Sequence, residues 1–144
     1  MTIKELLEEY YFHDSSIDDL KMIDGDLHVL IDFCTWMQEY YVEGQYPENE
    51  TMKLIFKKAT YNIDASEYDY QKDKIFVTKV ENYDCFEIRQ ATEITNKDKI
   101  IEGIKFITGP IKYGENLKRT PYAEIDIISE EVDIIFYKEN EISQ

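Results

Sequence analysis

The tripeptide His13-Asp14-Ser15 combines three side chains that often take part in catalysis or metal binding. His13 and Asp14 are adjacent, as in the paired metal ligands of phosphohydrolases, and His28 is the only other histidine. The spacing of the two histidines matches no two-histidine metal motif, and phosphohydrolases need further ligands on packed helices. Three consecutive residues do not form a catalytic triad either, because triad members meet from separate elements. We therefore expect no catalytic residue here, no metal and no cofactor.

The same tripeptide has a structural explanation as a polar junction between a helix and a strand. The side chain of Asp14 or Ser15 can accept hydrogen bonds from backbone N–H groups that have no partner where a helix stops and a strand starts. His13 can contact a carbonyl and a carboxylate at once through its two ring nitrogens. We predict that His13, Asp14 and Ser15 fix the helix against a sheet. A pocket near His13 and Asp14 is the alternative.

Cys34 and Cys85 are the only cysteines. Nothing in the local sequence activates either thiol, and two cysteines in a chain of this length need no bridge. Reduced cysteines in the core are the expectation.

Residues 35–51 break the strand pattern and combine large aromatic side chains with carboxylates. The candidate partner-binding residues are Trp36, Met37, Glu39, Tyr40, Tyr41, Glu43 and Tyr46. Trp, Tyr and Met are enriched at protein interfaces, and carboxylates around them steer a basic partner. The same aromatics could instead cover one end of the sheet, and the sequence does not choose between these roles. It also leaves open whether the segment is ordered.

A short amphipathic helix precedes the junction. Thr2 and Glu5 have the spacing of a capping box, which marks a helix start. Apolar residues then recur at the spacing of one helix face, at Ile3, Leu6, Leu7, Tyr10 and Tyr11. A helix this short is stable only when it packs on a sheet.

The sequence Asp24-Gly25-Asp26 predicts a hairpin between the two apolar stretches that flank it. Asp24-Gly25 favours a type I′ turn, and Gly25-Asp26 favours a type II′ turn. The second turn gives a largely apolar face but sets Asp19 opposite Asp32, a like-charge pair that costs stability. The register of the hairpin stays open.

Further strands are predicted from alternating and β-branched residues. They cover residues 52–60, 61–65, 75–80, 85–91, 99–108, 122–128 and 132–137. Turn residues at 81–84 predict a hairpin between the third and fourth of these, and the last two are expected to pair with each other. Isoleucines at helical spacing in 100–107 leave a helix as the alternative there.

The composition indicates a folded, acidic protein. The chain has 144 residues, 43% of them hydrophobic, which is too apolar for a disordered chain even at a net charge of -15. Residues 1–50 hold 13 acidic residues against two lysines. This charge repels nucleic acids and anionic membranes and attracts basic partners. Without a membrane-spanning run or a signal-peptide core, we expect a cytoplasmic protein with no nucleic-acid or membrane partner.

The opening of the chain, an amphipathic helix that runs into Phe12-His13-Asp14-Ser15 and Ile17 and then a hairpin, resembles a group of small bacterial proteins. Some of these are immunity proteins of polymorphic toxin systems. The resemblance covers about residues 3–33 and implies an α+β domain that neutralises a toxin by direct binding. It supplies no catalytic residues.

These observations predict a single α+β domain over residues 1–144, with an N-terminal helix packed on a twisted, mostly antiparallel, meander-like sheet of six to eight strands. The leading functional hypothesis is a non-enzymatic protein-binding module, an immunity-type inhibitor that binds a basic toxin. The alternatives are a small ligand-binding domain or enzyme with a pocket near His13 and Asp14, or a structural assembly subunit.

Overall fold

The structure is a computed structural model and describes residues 1–114 and 119–137. Within these residues the chain forms one α-helix, two short 3₁₀ helices and nine strands. The helix is α1 (Ile3–Glu9), and the 3₁₀ helices are Thr35–Met37 and Val80–Asn82. The strands are β1 (Ser16–Ile23), β2 (Asp26–Cys34), β3 (Asn49–Phe56), β4 (Thr60–Asp69), β5 (Lys74–Val77), β6 (Cys85–Thr95), β7 (Ile101–Ile111), β8 (Arg119–Ile128) and β9 (Val132–Tyr137).

All nine strands belong to one antiparallel sheet, in the order β5-β4-β8-β7-β6-β1-β2-β3-β9. The antiparallel sheet with an N-terminal helix is as predicted, although strands dominate so strongly that α+β describes the fold only roughly. The predicted number of strands, six to eight, is too low, because the described residues form nine. Strands that follow each other in the chain are also neighbours in the sheet within β1–β2–β3 and within β6–β7–β8, as in a meander. β4 and β5 lie beyond β8, and β9 lies beyond β3.

The sheet curls so that its two halves face each other. Only residues 57–59 connect β3 to β4, yet five strands lie between them in the sheet. In a flat sheet six strand spacings would separate β3 and β4 by about 29 Å. The connection spans at most about 14 Å. The curl therefore brings β3 and β4 together and encloses the core.

The core consists of the inward-facing side chains of both halves and of the helix. Strand residues at alternating positions are fully buried, as the period of a strand requires. They are Leu27, Val29, Ile31 and Phe33 on β2, Met52, Leu54 and Phe56 on β3, Ile104 and Phe106 on β7, and Ile125 and Ile127 on β8. Phe12, just after the helix, packs edge to face against Phe33 and Phe106 at 5.8 Å each.

The predicted helix is present and starts as expected. The Thr2 side chain accepts a hydrogen bond from the Glu5 N–H, and the Glu5 carboxylate accepts one from the Thr2 N–H. Ile3 and Leu6 are buried, but the helix ends at Glu9, before the two tyrosines that continue its predicted face. Among the residues that the structure describes, no helix is long and apolar enough to cross a membrane.

The first hairpin uses the turn Asp24-Gly25. Both residues have positive φ angles, 50° and 85°, which a type I′ turn requires. Asp19 therefore lies opposite Leu30, and the like-charge pair is avoided. A bulge between Ile17 and Asp19 then shifts the register by one residue. This shift returns Ile17 to the core face, where it is fully buried.

Between residues 52 and 91 one predicted strand was too long and one predicted hairpin was wrong. The predicted strand 52–60 ends at Phe56 as part of β3, because the chain turns at Lys58, which has a φ of 46° and no Gly or Pro beside it to signal a turn. The predicted hairpin of 75–80 with 85–91 does not form. β5 instead pairs with β4. In the turn between them the Asp69 side chain accepts hydrogen bonds from the N–H groups of Gln71 and Lys72.

The two last predicted strands are present, but they do not pair with each other. β8 lies between β7 and β4, and β9 pairs with β3. The chain crosses between them at Ser129, whose Oγ donates to the Lys57 carbonyl and so holds this turn beside the β3–β4 connection. The ambiguous stretch 99–108 forms most of strand β7, as favoured from its β-branched residues.

Candidate functional site

Ser15 ties the helix–strand junction to two neighbouring strands. Its side chain is fully buried, and its Oγ accepts a hydrogen bond from the Cys34 N–H at 2.8 Å. Its carbonyl accepts one from the Ile88 N–H at 2.7 Å, and its own N–H donates to the Phe12 carbonyl at 3.0 Å. One small residue thus joins the start of β1 to the end of β2 and to β6.

His13 and Asp14 lie on the outer side of this junction. Asp14 has a left-handed backbone, with a φ of 69°, and its N–H donates to the Ile88 carbonyl. The His13 Nδ1 lies 3.2 Å from an Asp14 oxygen, without the geometry of a hydrogen bond. The depression beside His13 holds about 320 Å³ and is lined by Tyr11 and Arg89 but by no carboxylate. No acid–base pair therefore opens into it.

Residues 35–48, between β2 and β3, are called the aromatic loop below. Gln38 fixes this loop to the junction: its Oε1 accepts from the Tyr11 N–H at 2.8 Å, and its Nε2 donates to the carbonyls of Tyr11 and Cys34 at 2.6 and 3.0 Å. The Gln38 side chain is buried. At the base of the loop, the Trp36 N–H donates to the Glu48 carbonyl at 3.0 Å. The loop is therefore held at a defined place on the sheet.

The aromatic loop presents three large rings to solvent. Trp36 is 50% exposed, Tyr40 is 39% exposed and Tyr46 is 40% exposed. Tyr40 and Tyr46 contact each other edge to face, with ring centroids 5.4 Å apart. Met37 and Tyr41, in the same loop, are half-buried. Since aromatic rings combine a large apolar area with few rotatable bonds, they are effective anchors for a partner.

The aromatic loop also carries exposed carboxylates. Glu39, Glu43 and Glu48 are exposed, and the sequence from 35 to 52 contains no Lys or Arg. Burial, together with the nearby charge of Glu50, raises the pKa of Tyr40 to about 12. The Tyr40 hydroxyl therefore stays protonated at physiological pH and remains a hydrogen-bond donor.

The described cysteine thiols are not activated as nucleophiles, and His28 lies apart from the tripeptide at the junction. Cys34 and Cys85 are free and buried, and burial raises the pKa of both thiols, which opposes formation of the nucleophilic thiolate. His28 lies opposite Lys21, about five residues or 16 Å along β1 from the junction. The described residues contain no group of three His, Cys, Asp or Glu side chains that could hold a metal ion.

The structure brings the two sets of candidate residues together around Cys34. The Cys34 N–H binds Ser15 of the junction, and the Cys34 carbonyl binds Gln38 of the aromatic loop. Gln38 was not among the residues predicted from the sequence. Its partner Tyr11 is 27 residues away in the chain, and no local pattern marks a single glutamine in a polar loop as buried.

Comparison with known proteins gives no relative: no protein-family model, no curated protein and no solved structure matches the chain. The resemblance to immunity proteins therefore remains a prediction from the residues around His13-Asp14-Ser15. A function has to be inferred from the chemistry of the aromatic loop itself.

Proposed function

We propose that this protein is a non-catalytic binding module that recognises a basic protein partner through the aromatic loop. The observation that carries the proposal is the group of exposed rings, Trp36, Tyr40 and Tyr46, in a loop that bears carboxylates and no cation. Trp and Tyr are the residues that most often dominate the binding energy of an interface.

The position of the loop adds to its suitability for binding. Gln38 holds the loop in place before a partner arrives, so less conformational entropy is lost on association. The surrounding carboxylates raise the association rate with a basic surface, and added salt reduces this effect. Binding by the loop should therefore be fast at low salt and weaker at high salt.

The specific form of the proposal is an immunity-type inhibitor that acts in the cytoplasm and covers a basic surface of a toxin. The acidic N-terminal third and the resemblance around residues 3–33 support it. The two free, buried cysteines fit a reducing compartment. A gene for a secreted toxin next to this one would support the inhibitor role, and a neighbouring toxin whose activity is unchanged by an equimolar amount of the protein would contradict it.

The test of the binding proposal is capture of a partner from the native cell with the wild-type protein and matched variants. Trp36→Ala removes an exposed ring from the loop, and Tyr41→Ala removes a half-buried one. Tyr70→Ala is the control, because Tyr70 is 68% exposed but lies in the β4–β5 turn. We expect the partner to be retained by Tyr70→Ala and lost by Trp36→Ala. Equal capture by all variants would refute a role for the loop.

A second candidate function, assembly of copies of this chain, is favoured by the edge strand β5. Ile75 and Val77 are 68% and 91% exposed on this strand, and exposed apolar edges pair with other chains. However, β5 has only four residues and begins with Lys74, features that protect an edge. Assembly therefore ranks second, and sedimentation that shows dimers abolished by Val77→Lys would support it.

A further inference from the structure

A cleft of about 750 Å³ lies between β1 and β4, within the range of roughly 300–1,000 Å³ that is typical of ligand sites. The curl of the sheet creates it, because three strands separate β4 from β1 in the sheet order. None of its lining residues belongs to the aromatic loop or to the tripeptide at the junction. It is therefore a separate surface of the molecule.

The cleft combines apolar and acidic side chains. The apolar residues Leu20, Ile63, Val80 and Phe86 line it and pack against the core. Its carboxylates are Asp18, Asp19, Glu81 and Asp84, all on exposed residues, and its lining contains no Lys or Arg. In the described part of the chain, no cation forms an ion pair with these four carboxylates. The lining thus attracts cations that its own residues do not supply.

One wall of the cleft is an open strand edge. β1 pairs with β2 along its length, but it pairs with β6 only at Ser16 and Ile17. From Asp18 onwards the described residues provide no strand partner on that side, because the segment before β6 forms a 3₁₀ helix at Val80–Asn82. The backbone N–H and C=O groups of an open edge are available to a peptide that adds as a further strand.

The charges in the cleft suit spaced cationic side chains better than a single ion. The described residues contain no group of three carboxylate, histidine or cysteine ligands close enough to hold a metal. Although Asp18 is an exposed residue, partial desolvation of its carboxylate and the nearby charge of Asp32 raise its pKa, so a cation beside Asp18 would stabilise its ionised form. Side chains that alternate along a strand would reach the carboxylates on one side of the cleft and its apolar residues on the other.

We propose that this cleft binds an extended basic peptide segment, which adds as a strand to the open edge of β1 from Asp18 onwards and places Lys or Arg side chains against Asp19 and Glu81. The occupant follows from charge complementarity and from the strand edge together. The inference does not depend on the aromatic loop.

The test uses a labelled synthetic peptide in which Lys and Val alternate over eight residues, with binding followed by fluorescence anisotropy. Asp19→Asn combined with Glu81→Gln removes two carboxylates that make no hydrogen bond among the described side chains, so the fold should be retained. Glu93→Gln combined with Asp98→Asn removes the same charge from exposed positions on the β6–β7 hairpin. We expect at least about a tenfold loss of affinity for the cleft variant and less than about a twofold loss for the control.

Two further peptides separate charge from strand addition. A peptide with Glu in place of Lys should not bind. A basic peptide with N-methylated amides on alternate residues keeps its charge but loses the hydrogen bonds of an added strand, so it should also bind at least about tenfold more weakly. Because neither pair of substitutions lies in the aromatic loop, a loss of affinity in the cleft variant but not in its control assigns the peptide to the cleft and not to the aromatic loop. Equal affinity for the cleft variant and its control, equal affinity of the methylated peptide, or no binding of the basic peptide would overturn the proposal.

Discussion

Replacing Ser15 with alanine leaves the buried N–H of Cys34 without its hydrogen-bond acceptor and without access to water. The Ser15 side chain has no exposed surface, and its Oγ lies 2.8 Å from the backbone nitrogen of Cys34. A buried donor that loses its acceptor costs about 1–3 kcal/mol. Since the substitution deletes a single atom and leaves little cavity, we expect the free energy of unfolding to fall by about 2 kcal/mol. In a chain of this length that lowers Tm by about 6 °C.

Urea unfolding of Ser15→Ala beside Ser16→Ala measures this effect with a matched control. The Ser16 hydroxyl donates to Asp18 in an exposed position at 3.3 Å, so its removal should change the free energy of unfolding by less than about 0.5 kcal/mol. Both variants lose the same atom at adjacent positions. If Ser15→Ala unfolds at the same urea concentration as the wild type, the junction does not hold the helix and strands together as inferred.

Three further predictions concern the aromatic loop and the first turn. Gln38→Ala loses three hydrogen bonds, so it should lower the free energy of unfolding by about 2–3 kcal/mol. It should also speed the hydrogen exchange of the backbone amides at Tyr11 and across the loop. Unchanged exchange rates would contradict the anchoring role of Gln38. Because the folded state raises the pKa of Tyr40 from 10.0 to about 12, stability from this group is present below pH 10 and is lost as the pH rises towards 12. Urea midpoints of the wild type should therefore fall more steeply over this range than those of Tyr40→Phe, and parallel profiles would exclude the shift. Gly25→Ala places a side chain at a φ of 85° and should cost about 1–2 kcal/mol, whereas Gly25→Asn should cost less, as calorimetry can show.

The features that the sequence predicts well are those set by neighbouring residues. The capping box of Thr2 and Glu5 and a hairpin turn within Asp24-Gly25-Asp26 depend on a few consecutive side chains, and both are present. The sequence could not decide the register of the first hairpin, because the pairing of β1 with β2 shifts by one residue at a bulge. The bulge before Asp19 has no signal in the sequence, and it returns Ile17 to the core.

The features that the sequence does not predict depend on contacts between distant parts of the chain. The strands at 122–128 and 132–137 look like a hairpin, but each finds a partner that local patterns cannot indicate, β4 and β3. The buried role of Gln38 requires the approach of Tyr11, and the acidic cleft requires the sheet to curl. For the aromatic loop, composition drew attention to Trp36 and Tyr46, but the sequence left open whether these rings cover one end of the sheet, and their exposure is seen only in the structure.

The most direct test of the binding role is the dissociation constant of a captured partner, measured for the wild type, Trp36→Ala and Tyr70→Ala at low and at high salt. We predict that Trp36→Ala weakens binding by at least about tenfold at both salt concentrations, as expected for a central aromatic anchor. Tyr70→Ala should bind like the wild type, and added salt should weaken all three. A partner that binds Trp36→Ala as tightly as the wild type would contradict the assignment of the aromatic loop as the binding surface.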